Sequence, residues 1–208
     1  MFFGISDILF HPDAFFARIS QEKVKLIPPL AIVATGSLLF AIVNIIFWMF
    51  PTQSGYSMPV LSGFFADIML SRIITSMVLP FCVWAVFTVF FFLLARVAGG
   101  SGSLPETARD TGYGMLPWTL SVLLPFLSIF HRFLTYSGGP VIGGYCGIWL
   151  MPPQYCTAPL LLILLWCWFL WMTAIRYTHG FTLQRSALVT GIPVAAGLII
   201  AILCMDIL

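Results

Sequence analysis

Ile27–Phe50, IPPLAIVATGSLLFAIVNIIFWMF, runs for 24 residues without a charged side chain. At about 1.5 Å of rise per residue, a helix of that length exceeds the roughly 30 Å hydrocarbon thickness of a bilayer with some tilt to spare. Working outward, the rest of the chain follows the same plan. It is 61% hydrophobic and 8% charged over 208 residues, where a soluble domain has about a quarter of its residues charged. A water-soluble fold could not hide that much apolar surface. The charges also fall between the apolar runs rather than inside them, as expected of a chain whose solvent is lipid.

Four further runs qualify as spans. Residues 73–95 are bracketed by Arg72 and Arg96, with Pro80 predicting a kink. Residues 111–130 are interrupted by Pro117 and Pro125. Residues 158–175 contain Leu160 to Leu165 followed by Trp166, Trp168 and Trp171, and residues 186–205 close the chain. The expected fold class is therefore all-α integral membrane: a bundle of five transmembrane helices (27–50, 73–95, 111–130, 158–175, 186–205) in one domain, 27–208, after an N-terminal segment, 1–26. In that segment Pro12 to Glu22 reads as a short helix, with Pro12 in its first turn and Ala14, Phe15 and Ile19 at helical spacing. Phe15 and Phe16 suggest that it lies in the membrane interface, a frayed tail being the alternative. Asp7, Asp13, Arg18 and Glu22 precede the first apolar run, so the start does not read as a cleaved signal peptide.

Orientation follows from Lys and Arg, which gather on the cytoplasmic side. Five spans put Arg18, Lys23, Lys25, Arg96, Arg109, Arg176 and Arg185 on one side and only Arg72 and Arg132 on the other. The expectation is a multi-pass protein of a prokaryotic cell membrane with its N-terminus in the cytoplasm and its C-terminus outside. A net charge of +2 with scattered carriers points away from nucleic acid.

The outer segment 131–157 is rich in Gly and Pro, and its Phe133, Tyr136, Tyr145, Trp149 and Tyr155 suit a lid on the headgroups, a re-entrant loop being the alternative. Of the five cysteines, Cys146 and Cys156 share this loop, on the side where disulfides survive. A bridge between them is expected, against two free thiols.

No nucleophile, base or metal constellation occurs at diagnostic spacing. The three histidines, His11, His131 and His179, are far apart, and neither a Gly-x-Ser-x-Gly nor a His-Glu-x-x-His occurs. Neither catalytic, cofactor-binding nor metal-binding residues are expected, and the chain reads as a non-enzyme. None of the five spans has an ionisable residue at mid-membrane, which disfavours proton-coupled transport. A small channel or transporter stays as the alternative function.

The stretch Gly99-Gly100-Ser101-Gly102-Ser103-Leu104-Pro105-Glu106-Thr107-Ala108-Arg109-Asp110-Thr111-Gly112-Tyr113-Gly114-Met115-Leu116-Pro117 carries more information than the rest. A Gly-rich turn leads to a short polar helix, and Gly-Tyr-x-x-x-Pro enters a span. Together with Phe10-His11-Pro12-Asp13-Ala14-Phe15-Phe16 and Thr178-His179-Gly180-Phe181-Thr182-Leu183-Gln184-Arg185-Ser186-Ala187, it resembles the Yip family of Ypt/Rab-GTPase-interacting polytopic membrane proteins, in particular short prokaryotic members. The resemblance implies a scaffold, or a protein of membrane organisation and trafficking, with a GTPase-type cytosolic partner. The Asp-Leu-Tyr-Gly-Pro motif of the eukaryotic members is absent, so the GTPase association rests on resemblance alone.

On this reading the linker 99–112 and the turn 176–185 meet on the inner face. Glu106, Arg109, Asp110, Gly112, Tyr113, Pro117, Arg176, His179 and Arg185 then form the candidate interaction surface, solvated and of mixed charge. Its candidate partners are membrane lipids, a cytosolic protein and a second copy of the chain. Mass spectrometry of the non-reduced protein should return Cys146 and Cys156 in one linked fragment; alkylation of both thiols would remove the bridge.

Overall fold

The computed structural model describes residues 5–49, 63–122 and 153–205. Among these residues the regular structure is entirely helical: α1 (Ile5–Phe10), α2 (Pro12–Ile19), α3 (Ile27–Met49), α4 (Gly63–Val97), α5 (Leu104–Gly114), α6 (Leu116–Leu120), α7 (Pro153–His179) and α8 (Leu183–Met205). Leu70–Val97 and Leu161–His179 are long and apolar enough to cross a membrane, and Ile27–Val43 and Leu183–Ile199 are shorter apolar helices.

The helix ends follow local chemistry. Pro12, fixed in φ and lacking an N–H that would be orphaned anyway, opens α2, with Asp13 in the first turn and Arg18 in the last to complement the helix dipole. Both α4 and α7 end on a left-handed glycine. Gly99 has φ +87° and Gly180 φ +68°, and in each case the next N–H reaches back five residues, Gly100 to the Ala95 carbonyl at 2.8 Å and Phe181 to that of Arg176 at 3.0 Å. These are Schellman closures, which satisfy carbonyls a helix end leaves open.

Several expected boundaries move. Helix α4 begins ten residues before Ile73 and runs through Arg72, because a charge ends a hydropathy run without ending a helix. Likewise α7 begins at Pro153, inside the expected loop 131–157, and carries Pro159 within it. The expected third span starts differently. Helix α5 passes through Thr111 and stops at Gly114, and α6 restarts at Leu116, since Pro117 has no N–H for the Tyr113 carbonyl and its ring would strike it. Residues 123–130 of that run lie outside the described residues, as do Cys146 and most of the loop; Cys156 falls in the first turn of α7.

Packing centres on Trp171. Its ring stacks on Phe87 at 4.9 Å between centroids and meets Phe91 edge-on at 5.4 Å, while its indole N–H donates to the Thr111 carbonyl at 2.9 Å. One side chain of α7 thus holds α4 and α5 at once. Val33, Met115, Cys167 and Val189 complete this core. A second cluster fastens the N-terminal helices to the bundle. Phe15 and Phe16 are buried with Tyr113, Leu116, Leu170 and Ala174, and Phe15 lies edge-on to Tyr113 at 5.1 Å. The two phenylalanines therefore face protein, contrary to the expectation that they rest among headgroups. Amphipathic spacing shows that a helix has an apolar face but not whether lipid or protein covers it.

Two glycines give a direct test. A Cβ on Gly114 would fall within the Trp171 ring, whereas one on Gly197 would sit at 3.7 Å from Phe87 Cζ, an ordinary contact. Gly114→Ala should destabilise the protein by about 1–3 kcal/mol through overpacking. Gly197→Ala should be neutral or stabilising, since alanine restricts the unfolded chain. Thermal unfolding in detergent distinguishes them.

Candidate functional site: a buried polar layer beneath the linkers

The polar helix α5 crosses between α4 and α7 and turns its charged and hydroxylic residues inward. Spacing explains why. Thr107, Asp110 and Thr111 recur at three and four residues, so they share a face, and the ends of α7 and α2 close over it. Arg109 and Asp110 are each 1% exposed. The Arg109 Nε donates to Asp110 Oδ1 at 2.7 Å, and its Nη1 donates to the Ile19 carbonyl at 2.8 Å. The other carboxylate oxygen of Asp110 accepts from the Thr178 hydroxyl. A single pair therefore joins α2, α5 and α7.

Next to it, Thr107 Oγ1 lies 3.0 Å from His179 Nε2 and donates to the Ser103 carbonyl at 2.9 Å. His179 is 3% exposed and stacks on Phe181 with 5.8 Å between ring centroids. Its ring fills space that only glycine leaves open: a Cβ on Gly100 would lie 2.7 Å from Nδ1, and one on Gly102 would lie 2.9 Å from the Thr178 carbonyl oxygen. Gly112 plays the same part toward Pro29, at 2.7 Å. Trp84 adds a bond from α4, its indole N–H donating to the Ala108 carbonyl at 2.9 Å.

Outside this layer the charges face solvent. Glu106 accepts from the Ser103 N–H and hydroxyl, each at 2.7 Å, tying the first turn of α5. Those bonds, the backbone one foremost, hold its carboxyl below the usual carboxylate range. The capping contribution is complete above that range and is lost as pH falls through the lowered value. Burial instead pushes Asp110 above the usual range, with Arg109 and Thr178 pulling it back. Arg176, 39% exposed, lies 3.5 Å from Asp13, which also accepts from the Tyr177 hydroxyl at 3.3 Å. Arg185 is exposed.

The candidate surface thus divides. The linker and the turn do meet, but Arg109, Asp110, Gly112, Tyr113, Pro117 and His179 are buried beneath it, and only Glu106, Arg176 and Arg185 remain accessible. The expectation that Arg109 and Asp110 are solvated is corrected: a guanidinium and a carboxylate on a predicted loop look solvated until a helix and two carbonyl-bearing ends close on them. Thr107, Thr178 and the Ile19 carbonyl were missed. The hydroxyls had a signal in their helical spacing to Asp110 and adjacency to His179; a backbone carbonyl 90 residues from Arg109 has none. Among the described residues no group of three His, Cys, Asp or Glu could hold a metal ion.

Fold and site together define a helical membrane protein whose linkers at one end are fastened from within by a buried ion pair. The chain belongs to the Yip1 family: the Yip1 domain matches residues 6–205, in agreement with the resemblance read from its motifs. It is also 29% identical over 126 residues, 58% of this chain and 84% of the relative, to an uncharacterized protein of the archaeon Methanocaldococcus jannaschii. No solved structure matches.

Because each charge has the other as its main compensation, removing one strands its partner. Arg109→Ala or Asp110→Ala alone should cost about 3–5 kcal/mol. Arg109→Ala with Asp110→Ala should cost less than the sum of the single losses, with a coupling of about 0.5–3 kcal/mol. Unfolding midpoints of the four proteins in detergent supply the cycle; additive losses would show that the pair is not coupled.

Proposed function

We propose that this Yip1-family membrane protein is a non-enzymatic scaffold that spans the bilayer five times, N-terminus in the cytoplasm and C-terminus outside, and presents its inner face for docking. The observation that carries the reading is the buried Arg109–Asp110 pair with its bonds to Ile19 and Thr178. The pair makes α2, the α4–α5 linker and the α7–α8 turn one firm surface, whose outside bears Arg18, Lys23, Lys25, Arg96, Glu106, Arg176 and Arg185. The basic excess supports a cytoplasmic position for that surface. Such a surface suits anionic headgroups or a cytosolic protein, of the GTPase type by family resemblance, and the same bundle can pair with a second copy. Docking falls to Glu106, Arg176 and Arg185, with Arg109, Asp110, Gly112, Tyr113, Pro117 and His179 as the support beneath.

Three measurements bear on it. Cysteine labelling at Ser101, Gly143 and Leu208 should find Ser101 inside and the other two outside; Ser101 and Gly143 on the same side would overturn the topology. Arg176→Ala with Arg185→Ala should leave the melting temperature nearly unchanged, since exposed pairs such as Arg176–Asp13 are worth about 0–1 kcal/mol, while reducing capture of whatever co-purifies in mild detergent. Reconstituted liposomes should pass ions and small solutes no faster than empty ones, and permeation above that baseline would favour the channel.

A further inference from the structure

His179 sits where the α4–α5 linker meets the α7–α8 turn, within hydrogen-bond reach of Thr107. The Thr107 hydroxyl has one hydrogen, directed in the helical manner to the Ser103 carbonyl at 2.9 Å. With that hydrogen given to Ser103, Thr107 Oγ1 is left to accept from His179 Nε2, 3.0 Å away, and this assigns the tautomer with the proton on Nε2 and a bare lone pair on Nδ1. That Nδ1 is buried and has no hydrogen-bond partner among the described residues.

We infer that His179 is a proton-sensitive clasp: neutral, it holds the linker Gly99–Ser103 against the end of α7, and protonated, it releases the linker and exposes the first turn of α5. The inference rests on this junction alone and stands whether or not the inner face docks a partner.

The physical reason is steric as well as electrostatic. A proton on Nδ1 would create a buried N–H without an acceptor, inside a contact where Gly100 leaves no room for a water: even a Cβ there would lie 2.7 Å from Nδ1 and 2.8 Å from Phe181 Cζ. An unpaired buried donor and charge is costly enough that opening the contact becomes the easier response. The charged groups acting on the ring are Glu106 from α5, which attracts the proton, and Arg96 from the end of α4, which repels it. Arg96 also donates to the Gly100 carbonyl at 3.4 Å, so the linker is tied on its far side to a cation that opposes protonation. Release has a built-in path, because Gly99 and Gly180 flank the junction at positive φ and can rotate where other residues would be strained. The sign follows: the neutral ring stabilises the closed linker, so closure is complete above the ordinary imidazole range near about 6.5 and weakens as pH falls below it.

Hydrogen exchange of the full-length protein in detergent, followed on peptides covering residues 96–107 and corrected for the intrinsic effect of pH, tests the clasp. Between about pH 7.5 and 5 the wild type should lose protection there, approaching about tenfold per pH unit below the transition, as one proton requires. Peptides from the middle of α4 should not change. His179→Gln, which keeps a donor for Thr107 and cannot take up a proton, should abolish the transition, and the exposed His11→Gln should leave it intact. Glu106→Gln, which removes the carboxylate that favours the proton in the closed contact, should leave the onset in place and let the loss continue to lower pH before it levels. A wild-type linker whose protection is constant over this range overturns the inference, as does a transition that survives in His179→Gln. Should His179→Gln fail to fold, the 15N shifts of the wild-type His179 ring at about pH 7.5 decide: a bare Nδ1 is expected, and a proton found on Nδ1 overturns the assignment.

Discussion

A guanidinium taken out of water inside an apolar bundle must find acceptors there, and the position of Arg109 answers to that requirement. Its partners come from three separate parts of the chain: Asp110 beside it, the Ile19 carbonyl at the end of α2, and, through Asp110, Thr178 near the end of α7. Desolvating two charges is expensive, and here their attraction repays the cost only in part, because Arg109 Nη2 is buried with no partner among the described residues. The surrounding structure therefore has little freedom: α2 must end where its carbonyl reaches Arg109, α7 must end where Thr178 reaches Asp110, and α5 must lie between them. The short N-terminal helices, which could not hold themselves in place, are fixed by the same demand and by Phe15 and Phe16 beneath it.

Close approach of backbones makes that layer possible. Helix α5 carries Gly112 and Gly114 against Pro29 and Trp171, and the linker before it carries Gly100 and Gly102 against His179 and Thr178. In lipid, helices gain no hydrophobic advantage by associating, so tight van der Waals contact and interhelical hydrogen bonds take over. Three tryptophan N–H groups serve that purpose, to the carbonyls of Ala108 and Thr111 and the hydroxyl of Thr190. The Gly-rich turn and the Gly-Tyr-x-x-x-Pro stretch, which carry the resemblance to the Yip family, are segments that pack closely.

Exposed apolar residues follow the same division. Along α4, Leu70, Ile74, Met77, Val78, Val86, Val89, Phe90 and Leu93 face outward, as a lipid-facing helix requires. Phe91, Thr88 and Ala95 on its other side are buried. The end that holds Arg109 is the reverse, polar within and charged at its rim. A protein so arranged is anchored by its outside and specified by its inside.

Much of this was legible beforehand. The charge-free run from Ile27, the leucine-rich run ending in Trp171 and the low charged content each report solvent preference residue by residue, so helical, membrane-embedded character could be read from composition and spacing alone. The Gly99–Pro117 stretch stands out by its resemblance to the Yip family, and its turn and helix break are legible because glycine and proline act locally. What side chains face is another matter. Phe15 and Phe16 read equally well against lipid or protein, Arg109 and Asp110 equally well in water or in a sealed pair, and Arg72 marked the edge of an apolar run without marking the edge of α4. Those outcomes depend on which distant carbonyl, ring or hydroxyl arrives opposite, and the energy of burying a charge changes sign with that arrival. Spacing along one chain determined the helices and their solvent; only the tertiary structure decided which of their polar residues were to be enclosed, because a partner 90 residues away leaves no local trace.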